Sequence, residues 1–339
     1  MSDIEKLRYT DDGSLVLPER TIPVPSTISA EARRFLATPQ RADHWPPLED
    51  RIAIKAAIAE RERRLIAAAG DRFSMFPATV TEQELSRSTL YHVTPEKIAD
   101  RQRHRAIYYV HGGAYIIMGG AIAGELGRPI AVTAQCKTFS IDYRLAPDHP
   151  FPAALDDAID GYRAVLAQYE PKNIGVVGSS AGGGLAAAML LKARDLGLPL
   201  PGAAVLHTPE VDMTESGDSF ETNWGIDVVL KRRLTPSIAL YANGHDLKDP
   251  YLSPIFGDFT RGFPPTMLAS GTRDLFLSNT AIMHRALRRA GIDAELHVFE
   301  GMPHGGFMGA PEDWELLTEE ARFLDRHLGT AAHRGERLG

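Results

Sequence analysis

Cysteine is all but missing from the chain: its 339 residues hold one, Cys136. An intrachain disulfide and a multi-cysteine metal site are therefore excluded. Cys136 sits in the apolar stretch AVTAQCKTFSI, the setting of a buried structural thiol rather than a reactive one. Long apolar runs are missing too. No stretch approaches the roughly 18 residues that a membrane-spanning helix needs, so no membrane span is expected. The opening, MSDIEKLRYTDDGS, is polar and has no apolar run of signal-peptide type, which leads to the expectation of a soluble, cytoplasmic protein. An excess of positive charge is absent as well: 37 Lys and Arg stand against 44 Asp and Glu, for a net charge of -7. With no basic stripe to neutralise phosphates, nucleic acid is not an expected partner. There is no internal repeat and no low-complexity tract.

What is present has the pattern of an α/β protein. The first 25 or so residues read as loosely structured, and 28–40 and 48–69 read as helices. From about residue 78 the pattern changes to strands at 78–84 and 88–94. Further apolar strand candidates follow at 106–110, 137–142, 173–178, 202–207, 265–270 and 294–299. Helical patterns at 153–168, 181–195, 277–290 and 312–328 separate most of them. Such alternation predicts a mostly parallel sheet covered on both faces. The acid-rich stretch 209–260, which contains Trp224 and DPYLSP, breaks the rhythm and reads as an inserted subdomain or lid. The expected organisation is N-terminal helices over residues 1–77, a catalytic domain over 78–208 and 261–339, and the insertion over 209–260.

Chemistry concentrates where strands end in glycine. Segment VVGSSAGGG at 176–184 runs from a strand through Gly178-Ser179-Ser180-Ala181-Gly182 into an Ala-rich helix. In that context G-x-S-x-G is a nucleophile elbow. The turn is so tight that side chains two residues before and after the serine would collide, and glycine removes the collision. Ser180 is thus the candidate nucleophile. A glycine-rich phosphate cradle is the poorer reading, because the lysine of a P-loop is absent. A second strand end, YYVHGGAYIIMGG at 108–120, offers backbone N–H groups for an oxyanion. Gly112 and Gly113, together with Ala181 after the serine, are the candidate donors. His111 reads as an anchor for that loop rather than a base.

A serine needs a base, and the base needs a carboxylate to orient it. In this fold class their chain order is Ser, acid, His. His304, in the loop GMPHGGF after the last strand, fits the base; His297 lies inside a strand and His284 inside a helix. Asp274, in SGTRDLF after strand 265–270, fits the acid. Asp293 falls at the opposite sheet edge, and Glu300 is the reserve. Tyr115, Ser179, Phe76 and Trp224 are the candidate pocket residues.

These pieces together resemble the hormone-sensitive lipase family of bacterial esterases within the α/β-hydrolases. The matches are HGGAY at 111–115, DYRLAPDHPFPAALDD at 142–157, GSSAGG at 178–183 and PHGGF at 303–307. The resemblance covers roughly 78–328. It implies an eight-stranded α/β-hydrolase fold with a mainly helical cap built from the N-terminal helices and the insertion. It also implies the roles given above for Ser180, Asp274, His304, Gly112, Gly113 and Ala181. The DYRLAP-type stretch would support the oxyanion loop. The sequence departs from the family at Ser179, where aspartate is usual, at RDLFLS in place of DPLxDE, and at PHGGF in place of PHGF. SGTRDLF and GMPHGGF are similar to the branch that includes monoterpene lactone hydrolases. The expected activity is cofactor-free and metal-free hydrolysis of small to medium carboxylic esters or lactones through an acyl-enzyme. An amidase or deacetylase on the same triad is the alternative. A non-catalytic ligand-binding module is disfavoured because His304 is present. The oligomeric state stays open, a homodimer being common in related esterases.

Overall fold

The computed structural model describes residues 8–38 and 45–329. It opens with an exposed hairpin of β1 (Arg8–Tyr9) and β2 (Leu15–Val16), inside the stretch expected to be loosely structured. Eight strands then build one sheet: β3 (Ala78–Glu84), β4 (Thr89–Pro95), β5 (Ala106–Val110), β6 (Thr138–Asp142), β7 (Ile174–Ser179), β8 (Ala203–His207), β9 (Thr266–Gly271) and β10 (Ala294–Phe299). Their spatial order is β10-β9-β8-β7-β5-β6-β4-β3. Pairing is parallel from β6 to β10, whereas β4 runs antiparallel to both β6 and β3. All eight were expected from the sequence, to within a residue or so at each end.

Parallel neighbours need a crossover, and helices supply it. Helices α1 (Ala30–Ala37) and α2 (Arg51–Ala69) precede the sheet. Crossovers are made by α3 (Ala121–Leu126), α4 (Arg128–Ala134), α5 (Ala153–Leu166) and α6 (Ala181–Asp195). Short α7 (Ser219–Thr222) and α8 (Thr235–Ala242) lie between β8 and β9, and α9 (Leu277–Arg289) and α10 (Pro311–His327) complete the order. Because side chains alternate along a strand, the central strands feed two cores. Ile107, Val177, Val205 and Met267 face a core shared with α1, α4 and α10. Tyr108, Val176, Leu206 and Leu268 face the other, shared with α5, α6 and α9. That double burial is why the strands read as unbroken apolar runs rather than alternating ones.

Two short helices, α3 and α4, were not anticipated. Their sequence, AIAGELGRPIAVTA, has no amphipathic stripe, and glycines interrupt it. The glycines have a packing reason. A Cβ on Gly124 would lie 2.9 Å from Tyr91 and Val80, and one on Gly127 would lie 3.3 Å from Ser140. These helices press directly onto the sheet, which small residues permit and periodicity does not announce. The helix expected over 28–40 spans Ala30–Ala37, and residues 39 and 40 lie outside the described ones.

The N-terminal helices have different anchors. Ser29, which caps α1, donates from both its amide and its hydroxyl to the Glu312 carboxylate of α10 (2.6 and 2.8 Å). In contrast, α2 reaches the loops near the end of β5. Glu62 accepts from the Met118 amide (2.7 Å), Arg51 donates to the Pro147 carbonyl (3.2 Å), and Lys55 pairs with Asp148 (2.6 Å). Among the described residues no helix is long and apolar enough to cross a membrane.

Glu320 of α10 is buried under the sheet, with Tyr109 facing it, and burial pushes its carboxyl from 4.5 up to about 8. The neutral acid is therefore the folded form at mild pH. As pH rises from 4.5 to 8 the unfolded chain gives up this proton while the folded chain keeps it, so stability falls across that window. Glu320→Gln, which mimics the neutral acid, should leave stability near pH 5 little changed and raise it near pH 8. Urea unfolding at the two values checks this, and an equal effect at both pH values would count against it.

Candidate active site

The site grows from the C-terminal ends of β5, β7 and β9 and from the loop after β10. Ser180 stands between β7 and α6 with φ 57° and ψ -126°, a left-handed conformation strained for a residue with a side chain. Its neighbours explain how the turn closes. A Cβ on Gly178 would lie 2.3 Å from the Gly182 carbonyl oxygen. One on Gly182 would lie 2.1 Å from the Val110 oxygen and 2.3 Å from the His111 oxygen. Glycine is thus required by contact at both positions. The turn is fastened by the Ser180 amide donating to the His207 carbonyl (2.9 Å) and by the Glu210 amide donating to the Ser180 carbonyl (3.0 Å).

The three side chains singled out in the sequence meet. The Ser180 hydroxyl lies 2.8 Å from Nε2 of His304, and Nδ1 of His304 lies 3.0 Å from Oδ1 of Asp274. Asp274 is fully buried and His304 is 5% exposed. With Nδ1–H donating to Asp274, Nε2 is left as the acceptor for the hydroxyl. Asp274 is itself held: its Oδ2 accepts from Ser270 (2.6 Å) and its Oδ1 accepts from the Phe276 amide (2.9 Å). Phe276 also packs its ring edge-on against the imidazole, with centroids 4.8 Å apart.

Facing the serine is the loop after β5. Gly112 lies so close that a Cβ there would sit 3.2 Å from the Ser180 Cβ, and Gly113 has φ 116°. Among the described residues no protein acceptor engages the amides of Gly112, Gly113 or Ala181. The DYRLAP stretch braces this loop. Tyr143 donates its hydroxyl to the His111 carbonyl (2.9 Å) and stacks on the His111 ring at 4.1 Å. Asp142 accepts from the Gly120 amide (2.9 Å), and the Ala146 amide donates to the Tyr115 carbonyl (2.9 Å). Arg144 in turn forms a two-pronged ion pair with the fully buried Asp157 (2.8 and 2.9 Å).

The four candidate pocket residues fare differently. Ser179 ends β7 beside the serine. Tyr115 is buried and stacks on Tyr241 at 3.9 Å, with its hydroxyl near Gly184 of α6. Phe76 stacks on Trp314 of α10 (5.1 Å), and Trp224 is 63% exposed. Besides His111, read from the sequence as a loop anchor, several buried groups were not singled out there: His207, Glu210, Asn223 and Asp227. Burial pushes His111 and His207 down to about 4, with the nearby His304 adding to the shift at His207, so both stay neutral at mild pH. Burial, and then Glu215, raises Glu210 to about 8. Asn223 and Asp227 from the insertion contact the loops that carry Asp274 and His304. Only the acid-rich character of 209–260 hinted at them. Among the described residues no group of three or more His, Cys, Asp or Glu is placed to hold a metal ion.

Comparisons with known proteins bear on the fold and the family. A family described as alpha/beta hydrolase fold matches residues 107–308. An acetyl-hydrolase of Streptomyces hygroscopicus is 33% identical over 64% of this chain and 73% of its own length. An esterase of Acinetobacter venetianus is 30% identical over 74% of this chain and 84% of its own. The crystal structure of an esterase named E25 superposes with a TM-score of 0.86 at 36% identity, covering 93% of this chain and 99% of that one. An esterase from the bacterial hormone-sensitive lipase family superposes with a TM-score of 0.72 at 29% identity, over 89% and 99% of the two chains. The chain belongs to the α/β-hydrolase fold family. Within it the resemblance to the bacterial hormone-sensitive lipase esterases holds, and the protein is an enzyme of the carboxylesterase type.

The backbone contact at Gly182 gives a direct test. Gly182→Ala should drive the loop after β5 and the turn at Ser180 apart, because the atoms it meets are main-chain carbonyls that cannot swing away. We expect a stability loss at or above the roughly 1–3 kcal/mol typical of overpacking. Labelling of Ser180 by a fluorophosphonate should slow markedly. Unfolding by urea together with labelling kinetics measures both, and a variant with native values in each would refute the steric argument.

Proposed function

We propose that the enzyme hydrolyses small to medium carboxylic esters, with Ser180 as nucleophile, His304 as general base and acid, and Asp274 as the carboxylate that orients it. The observation that carries this reading is the continuous hydrogen-bonded chain Ser180–His304–Asp274, with links of 2.8 and 3.0 Å, set against three unengaged amides. Ser180 Oγ attacks the ester carbonyl carbon while His304 Nε2 takes its proton. The carbonyl oxygen becomes an oxyanion held by the amides of Gly112, Gly113 and Ala181 at the start of α6, where a helix N-terminus favours negative charge. Collapse expels the alkoxide, which leaves as the alcohol with the proton from His304. Water then attacks the acyl-serine, again losing its proton to His304, and the acid departs as Ser180 regains its hydrogen.

The buried Asp274, which accepts from Ser270 and from a backbone amide, would keep the imidazole in one tautomer through both steps. His111 and His207 stay neutral at mild pH and so do not compete as charged neighbours. The acetyl-hydrolase and esterase relatives support a short acyl group. In the same reading α2 and the 209–260 insertion form the cap over the acyl pocket. The contacts of α2 with Met118, Pro147 and Asp148 support this.

Ser180→Ala should abolish hydrolysis of p-nitrophenyl butyrate while the thermal unfolding curve stays close to that of the parent. Loss of a triad member commonly costs on the order of 10⁴-fold or more in turnover. A panel of p-nitrophenyl esters of rising acyl length, with matched anilides and lactones, should show a maximum among the short esters. Parent-like rates in Ser180→Ala would remove this serine from the mechanism.

A further inference from the structure

Asp227 belongs to the insertion, far along the chain from the residues that react, yet it is fully buried beside them. Every hydrogen bond of its carboxylate is one accepted from a backbone amide. Its Oδ1 accepts from Val229 (2.8 Å) and Leu230 (3.0 Å), on its own segment. Its Oδ2 accepts from Leu275 (2.9 Å), the residue after Asp274, and from His304 itself (3.3 Å). One carboxylate oxygen thus links the loop of the acid to the loop of the base. Residues around it reinforce the grip. Asn223 donates to the Asp274 carbonyl (2.8 Å) and the Thr272 carbonyl (3.3 Å), and Ser219 donates to the Leu275 carbonyl (2.7 Å).

Building on the function proposed above, we infer that Asp227 is a positioning residue that sets the distance between Asp274 and His304 and, through its charge, the pH range over which the pair works. The distance part follows from the shared oxygen: two loops about thirty residues apart in sequence are tied to a third segment that neither contains. The charge part follows from what surrounds the carboxylate. Four amide donors face it, a set that fits the anion and offers nothing to a protonated acid. The titratable groups that face it are Asp274 from the acid loop and His304 from the histidine loop, and His207 of β8 faces those two in turn.

Burial and then the like charge of Asp274 push Asp227 up to about 6, while His304 and the amides of Leu275 and Leu230 pull it back. The folded value is raised, so as pH falls through about 6 Asp227 takes up a proton and the four-donor cradle loses its anion. The sign for catalysis follows. An anionic Asp227 and a protonated His304 favour one another, and a protonated His304 cannot act as base. Removing the charge should therefore let the base work at lower pH, even as the loosened loops slow the reaction.

The test is Asp227→Asn in the full-length enzyme, with p-nitrophenyl butyrate as substrate. Its amide keeps one accepting oxygen and turns a donor toward the other pair of amides. We expect kcat to fall between roughly 10- and 100-fold, the range for a small misplacement of reacting groups, with KM changed less than about threefold. We also expect the acid limb of the kcat/KM profile to move to lower pH. A merely structural residue would lower the yield of active enzyme but leave that limb in place, so turnover is normalised to sites titrated with a fluorophosphonate. Parent-like kcat, or a lowered kcat with an unmoved acid limb, overturns the inference. Should Asp227→Asn fail to fold, Asp227→Glu keeps the charge but displaces it by a methylene. It should lower kcat without moving the limb, and parent-like kcat there is equally fatal. Failure of the parent reading is separate: in that case the unmodified enzyme would not be titrated at Ser180 at all.

Discussion

A contact between backbones organises this molecule. The main chain of Gly182 lies against the carbonyls of Val110 and His111 so closely that a single methyl group could not fit. Adjacent parallel strands β5 and β7 end at the same sheet edge, and this contact locks their two loops into one body. The strained Ser180, the amide of Ala181 and the amides of Gly112 and Gly113 then have fixed relative positions. Strain of this kind persists only where surrounding structure over-determines it. Here the hydrogen bonds of the Ser180 amide and carbonyl to His207 and Glu210 supply that constraint.

Charge is arranged around the contact with similar economy. His111 and His207 lie close by, but burial holds each well below the usual range for imidazole, so neither competes for a proton at mild pH. His304 differs from them in its partner, the Asp274 carboxylate, and in its second nitrogen pointing at a hydroxyl. One fold thus carries three buried histidines whose neighbours assign them different work. Glu210 and Glu320, both raised to about 8 by burial, place neutral acids where the cores cannot accommodate charge.

Much of this was legible in the sequence, for reasons that can be named. Strands β5 to β9 are buried on both faces and read as apolar runs, whereas β3 and β4 were legible from the alternation of their side chains. The turn at Ser180 and the loop after β5 were legible because sterics leave glycine as the one choice at Gly178, Gly182 and Gly113. Asp274 and His304 were singled out from their places after β9 and β10, and the fold brings both side chains to Ser180. What escaped notice lacks a local signature. Helices α3 and α4 are short, interrupted by glycine, and held by close packing rather than by an amphipathic stripe. Asp227 is an ordinary aspartate among other acids, and its distant partners, the amides of Leu275 and His304, lie 48 and 77 residues away. Backbone amides carry no residue identity, so nothing in the sequence could point to them.

The insertion between β8 and β9 is therefore fastened to the loops of the candidate site. Through Ser219, Asn223 and Asp227 it is hydrogen-bonded to the main chain around Asp274 and His304. A segment with two such attachments cannot drift freely in evolution. Exchanges within the insertion would also disturb the loops of Asp274 and His304, unless these three polar anchors travel with the exchanged piece. Chimeras assembled by cutting at the strand ends would preserve the fold yet inherit mismatched anchors, whereas crossovers placed between residues 228 and 260 would leave them intact.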